Sequence, residues 1–130
     1  MARVLFLCLH NAGRSQMSEA LFERAAADSH EARSAGTEPG ERVHPEVVKA
    51  MAELGIDLAA RIPRKLTTAD AEWADVVVTM GCGDKCPYIP GKRYLDWELD
   101  DPKGRSLEEV QATREEIERR VTELVDELND

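Results

Sequence analysis

One apolar run constrains this chain more than any other feature: Val4-Leu5-Phe6-Leu7-Cys8-Leu9 ends at a turn-forming stretch and leads into a helical pattern. A run without polar alternation marks a strand buried on both faces, as in a parallel sheet. The spacing predicts a strand from Ala2 to Leu7, a loop holding Asn11 and Gly13, and a helix over 14–28 with Met17, Ala20, Leu21 and Ala25 on one face. A second strand follows from Glu31 to Ser34, closed by Ala35-Gly36. Pro45 suits the first position of a helix that ends near Gly55. Thr67 or Thr68 caps a short helix through Trp73. Val76 to Met80 reads as a third buried strand and Arg93 to Trp97 as a fourth. Ser106-Leu107-Glu108-Glu109 is a capping box opening a long helix to about Leu128, with Val110, Ile117, Val121, Leu124, Val125 and Leu128 as its apolar stripe. With no repeat or linker, residues 1–130 read as one three-layer α/β domain, a parallel sheet flanked by helices.

The chain has 130 residues, of which 42% are hydrophobic, enough for a core without covalent staples. No apolar run approaches the ~20 residues of a membrane span, and the N-terminus lacks a signal-peptide pattern. A cytoplasmic location and reduced thiols are therefore expected for the 3 cysteines, an odd number for static pairing. The net charge of −9 is uneven: residues 1–97 carry 14 acids and 12 bases, residues 98–130 carry 12 acids and 5 bases. That excess reads as the solvated face of the last helix. An acidic chain without a basic patch is a poor partner for nucleic acid. An anionic ligand must therefore be held by a local site working against the overall charge.

In parallel sheets ligands sit at the carboxyl ends of strands, here the loops after Leu7, Met80 and Trp97. The first is Cys8-Leu9-His10-Asn11-Ala12-Gly13-Arg14-Ser15. Asn11 and Gly13 permit φ > 0 turns that curl backbone N–H groups inward, and a helix N-terminus adds its positive end. A tetrahedral oxyanion fits such a cradle of Asn11, Gly13, Arg14 and Ser15, with a two-pronged grip from Arg14. The same field favours a thiolate at Cys8, to which Ser15 can donate. His10 reads as a solvent-facing loop residue, and Trp73 and Trp97 as core or site-wall residues. The second constellation is Cys82-Gly83-Asp84-Lys85-Cys86-Pro87. Its spacing is not that of a metal knuckle, and His10, His30 and His44 add no ligand pattern. A redox pair is the sharper reading, with Lys85 favouring a thiolate at Cys86. A helical i, i+4 pair holds Cβ atoms ~5–6 Å apart against ~3.8 Å in a disulfide, so closing Cys82–Cys86 requires a non-helical segment, for which Gly83 and Pro87 are suited. In the third loop Asp100 and Asp101 are equal candidates for a general acid.

The motif Cys8 to Arg14, with Ser15-Gln16-Met17-Ser18-Glu19 behind it, resembles the low-molecular-weight tyrosine phosphatase superfamily, and within it the arsenate reductases of the thioredoxin-coupled type. Ser34-Ala35-Gly36, Val76 to Met80 and Trp97-Glu98-Leu99-Asp100-Asp101-Pro102 carry the likeness along the chain. The resemblance implies a four-stranded parallel sheet, Cys8 as nucleophile, Arg14 as oxyanion ligand and Asp101 as general acid. In the members best known, six residues separate the two later cysteines; here three do. Asn11, Glu19 and Ser34 match three ligands of a potassium site found in some members, but Arg64 or Lys65 replaces the expected aspartate. No bound metal is expected.

By resemblance the expected activity is reduction of arsenate to arsenite by a thiol relay through Cys8, Cys82 and Cys86, without an organic cofactor and with thioredoxin or a low-molecular-weight thiol as reductant. The alternative is a phosphatase for phosphotyrosine or small phosphoesters, sharing Cys8, Arg14 and Asp101. Against it stands Lys103-Gly104 after Asp101-Pro102, where such phosphatases carry aromatic residues. A non-enzymatic oxyanion sensor is disfavoured by the lack of a basic helix for DNA.

Overall fold

A computed structural model describes residues 1–81, 88 and 90–130. The elements are β1 (Arg3–Cys8), α1 (Arg14–Ala26), β2 (Glu31–Gly36), α2 (Pro45–Ala52), α3 (Thr68–Trp73), β3 (Val76–Thr79), β4 (Arg93–Asp96) and α4 (Leu107–Asn129). The four strands form one parallel sheet in the order β2-β1-β3-β4. The chain therefore builds outward from β1 in one direction and then restarts on its other side at β3. That reversal opens a crevice at the carboxyl ends of β1 and β3, where α/β sheets bind ligands.

Alternation along the strands sorts the core into two layers. Val4, Phe6 and Cys8 of β1 and Val76 and Val78 of β3 face α1, α2 and α4, where they pack with Met17, Leu21, Phe22, Val47, Met51, Ile117 and Val121. Leu5, Leu7 and Val77 face the other way, with Ala74, Leu66 and Trp73 beside α3. Trp97 is a core residue, its ring centroid 5.8 Å from that of Phe6. Trp73 is only half-buried and carries the Arg33 guanidinium 4.3 Å above its ring.

The expected elements are all present, with two instructive differences. Helix α1 stops at Ala26, because Ala27 takes a φ of 51°; the inward residues at its end are Phe22 and Ala26, while Ala25 is exposed. Strand β2 runs through Gly36 rather than ending at Ser34. The segment 64–66 pairs with it there: Gly36 N donates to Arg64 O at 2.8 Å, and Leu66 N to Gly36 O at 2.9 Å. Thr67, not Thr68, caps α3, in a reciprocal box with Asp70. Ser106 and Glu109 form the same box on α4. The charged face of α4 carries exposed pairs such as Arg119–Glu116 and Arg119–Glu123, so it is a solvated face. Among the described residues no helix is long and apolar enough to cross a membrane.

Candidate active site

Cys8 ends β1 and is buried, 2% exposed. Beyond it, Asn11 takes a φ of 51°, the left-handed turn that asparagine tolerates. Gly13 does not take the expected positive φ; its φ is −147°. A glycine is needed there for space, since a Cβ would lie 2.5 Å from Cγ of Pro102. The loop after β4 thus presses directly on the loop after β1. Helix α1 starts at Arg14, so its positive end faces the loop.

The Cys8 sulfur sits among donors. Its Sγ is 2.8 Å from Ser15 Oγ, and the Asn11 backbone N–H donates to it at 3.2 Å. Asn11 Nδ2 donates in turn to Ser15 Oγ at 2.7 Å. Asn11 and Ser15 are fully buried, so these bonds face no competition from water.

Arg14 joins three loops. Its guanidinium is buried; Nη1 donates to the Leu99 carbonyl at 3.3 Å, and Nη2 lies 3.7 Å from Asp101 Oδ2. Gly81, directly after the β3 end, has a φ of 82°, and a Cβ there would overlap the guanidinium. Sequence reasoning did not single out Gly81 or Leu99; the glycine next to a cysteine at a strand end was the available signal. Asp101 is half exposed, and its Oδ1 accepts from Lys103 N at 3.0 Å. Asp100 instead lines a recess with Glu98, Leu99, Glu109 and Thr113 beside α4. Geometry thus separates the two aspartates, and Asp101 is the one at Arg14.

His10 is half-buried, and its Nδ1 lies 2.9 Å from the Glu38 carbonyl. With Arg42, His44 and Lys103 it borders an open groove of about 450 Å³ beside the loop. Burial pushes the His44 imidazole below its ordinary value, against the opposing pull of Asp101.

Behind the loop, Ser34 Oγ donates to Glu19 Oε1 at 2.6 Å, and Arg61 Nη1 donates to the same oxygen at 3.2 Å. The cation against Glu19 is therefore Arg61, neither Arg64 nor Lys65. Arg64 reaches the Ser34 carbonyl and Asp70 instead. With a guanidinium already balancing Glu19, these residues do not fit a metal cation. Cys82 and Cys86 lie outside the described residues.

Residues 3–130 match the family described as Low molecular weight phosphotyrosine protein phosphatase. A Halobacterium salinarum protein provisionally named an arsenate reductase is 45% identical, covering 95% of this chain and 91% of its own. The glutaredoxin arsenate reductase of Synechocystis is 33% identical over 99% of this chain and 100% of its own. Among solved structures, the Corynebacterium glutamicum thioredoxin-dependent arsenate reductase matches with a TM-score of 0.83 and 42% identity, covering 99% of this chain and 62% of that longer one. The YwlE arginine phosphatase from Geobacillus stearothermophilus matches with a TM-score of 0.88 and 27% identity, over 99% of this chain and 94% of that one. By this match over residues 3–130, the chain belongs to the low molecular weight phosphotyrosine protein phosphatase family.

Proposed function

We propose that this protein reduces arsenate to arsenite with its own thiols. The observation that carries the proposal is the Cys8 sulfur held between Ser15 and Asn11 beside the buried Arg14, with Gly81, the residue before Cys82, against that guanidinium. Arsenate enters the loop over 8–15, its oxygens taken by the backbone N–H groups of Gly13 and Ser15 and by the Arg14 fork, while the Asn11 N–H stays on the Cys8 sulfur. The Cys8 thiolate attacks arsenic, and one oxygen departs as water with a proton from Asp101, leaving a Cys8–arsenic bond. Cys82 then attacks the Cys8 sulfur. The sulfur–arsenic bond breaks, its electron pair stays on arsenic, and arsenite leaves as the Cys8–Cys82 disulfide forms. Cys86 attacks Cys82, which restores the Cys8 thiol and leaves a Cys82–Cys86 disulfide. Thioredoxin or a low-molecular-weight thiol returns the two electrons. The chain's own sulfurs carry the redox change, and no organic cofactor is required.

The names of the relatives support this chemistry, and so do the two further cysteines four positions apart after β3. A phosphatase reading draws on the family and on the YwlE neighbour, since Cys8, Arg14 and Asp101 serve phosphoryl transfer equally well. It leaves Cys82 and Cys86 without a role. The two readings separate in one assay: turnover of arsenate with thioredoxin and with small thiols supplied separately, beside hydrolysis of an aryl phosphate. Reductase chemistry gives sustained arsenite release with at least one reductant. Brisk phosphate release with no arsenite would favour the phosphatase.

A further inference from the structure

The hydrogen bonds around Cys8 have a direction, and that direction is set 53 residues away in sequence, at Arg64. An asparagine amide can face either way, so the polarity of the chain from Asn11 through Ser15 to Cys8 depends on what holds its oxygen. Asn11 Oδ1 accepts from Gln16 Nε2 at 3.1 Å and from the Arg64 backbone N–H at 2.9 Å. Gln16 is itself an amide that can turn. The backbone N–H cannot, so it alone forces oxygen toward Arg64 and nitrogen toward Ser15. Once Nδ2 donates to Ser15 Oγ, the single Ser15 proton is left for the Cys8 sulfur, the arrangement a thiolate needs. The same orientation leaves the buried Gln16 Oε1 without a partner among the described residues. The packing thus tolerates a lost hydrogen bond to keep this polarity.

Asp70 fixes the Arg64 segment. Its carboxylate is buried and takes Arg64 Nη2 on both oxygens, at 2.9 and 3.0 Å, and also accepts from Arg33 at 3.2 Å and from Thr67 N at 3.1 Å. Arg64 Nη1 reaches the Ser34 carbonyl at 2.5 Å, and Arg64 O takes Gly36 N, so the guanidinium and the backbone are anchored together. We infer that Asp70 is a positioning residue for Cys8: through Arg64 it holds the one unflippable donor that orients Asn11, and thereby aims the Ser15 hydroxyl at the nucleophile. The inference rests on Cys8 being the nucleophile but not on the identity of the oxyanion.

The test is a double-variant cycle on the full reduced chain with Asp70→Ala, Ser15→Ala and both together. Two readouts are taken: the rate of Cys8 carbamidomethylation by iodoacetamide at pH 7, mapped by peptide mass, and kcat and KM for arsenate. Asp70→Ala should slow Cys8 alkylation and kcat by about tenfold, the scale of one charge-assisted hydrogen bond, with KM within about twofold. The double variant should be no slower than Ser15→Ala alone, because both changes remove the same donated proton. Multiplication of the two single losses would overturn the inference, as would unchanged alkylation in Asp70→Ala. If Asp70→Ala does not fold, Asp70→Asn, which keeps the shape and loses one acceptor, carries the same cycle. Cys8 alkylation in the unsubstituted chain no faster than that of free cysteine would overturn the nucleophile reading and this inference together. Fast alkylation that is indifferent to Asp70 would overturn this inference alone.

Discussion

Arg14 and Gly81 act as one unit, because the guanidinium lies where any side chain at position 81 would be. An ammonium cannot present two parallel N–H groups to an oxyanion, so Arg14→Lys should lose about a hundredfold or more in kcat/KM although charge is kept. Steady-state arsenate reduction, with phosphate as competitor, checks this; kinetics like those of the unsubstituted chain would mean that Arg14 does not grip the reacting anion. Gly81→Ala carries two costs, a left-handed backbone and a displaced guanidinium. It should destabilise the fold by about 1–2 kcal/mol and raise KM for arsenate, measurable by thermal unfolding and initial rates. At this scale the loop over 8–15 was legible because its groups are contiguous, whereas Asp101 needed the family resemblance to separate it from Asp100. Asp70, Arg61 and the role of Arg64, which the sequence marked only as standing where an aspartate was expected, were hidden, since nothing local shows which loop a backbone N–H will reach.

The elements followed their periodicity closely wherever local chemistry set them, as at the Ser106–Glu109 cap and at Pro45 opening α2. They departed where a partner distant in sequence intervened, as when segment 64–66 extended β2 to Gly36. Two groups at element ends make stability pH-dependent. Burial holds His44, at the start of α2, below its ordinary value. The unfolded chain therefore takes up that proton first, and stability falls as pH drops below about 6.5. For Asp70, burial pushes the carboxyl up, but hydrogen bonds from Arg64 and Thr67 outweigh it and hold it below its ordinary value. That contribution is present above about pH 4 and is lost as pH falls through the folded value. Thermal midpoints at pH 7.5, 5.5 and 3.5 should thus drop in two stages, with His44→Gln abolishing the first and leaving the second. A first stage that survives in His44→Gln would assign it to another group.

For the whole molecule, the strand order decides what can react with what. Restarting the sheet at β3 beside β1 puts Gly81, the residue before Cys82, against Arg14. On the proposed relay, Cys82→Ser should stall after the first attack, and Cys86→Ser should stop as a Cys8–Cys82 disulfide. Neither should impair aryl phosphate hydrolysis, where water resolves the intermediate. The most direct measurement is a single turnover: the fully reduced protein, with no external reductant, mixed with one equivalent of arsenate, with arsenite quantified and disulfides mapped by mass. The relay predicts one equivalent of arsenite and one Cys82–Cys86 disulfide, with Cys8 again a free thiol. No arsenite from a chain whose 3 cysteines are all reduced would contradict it.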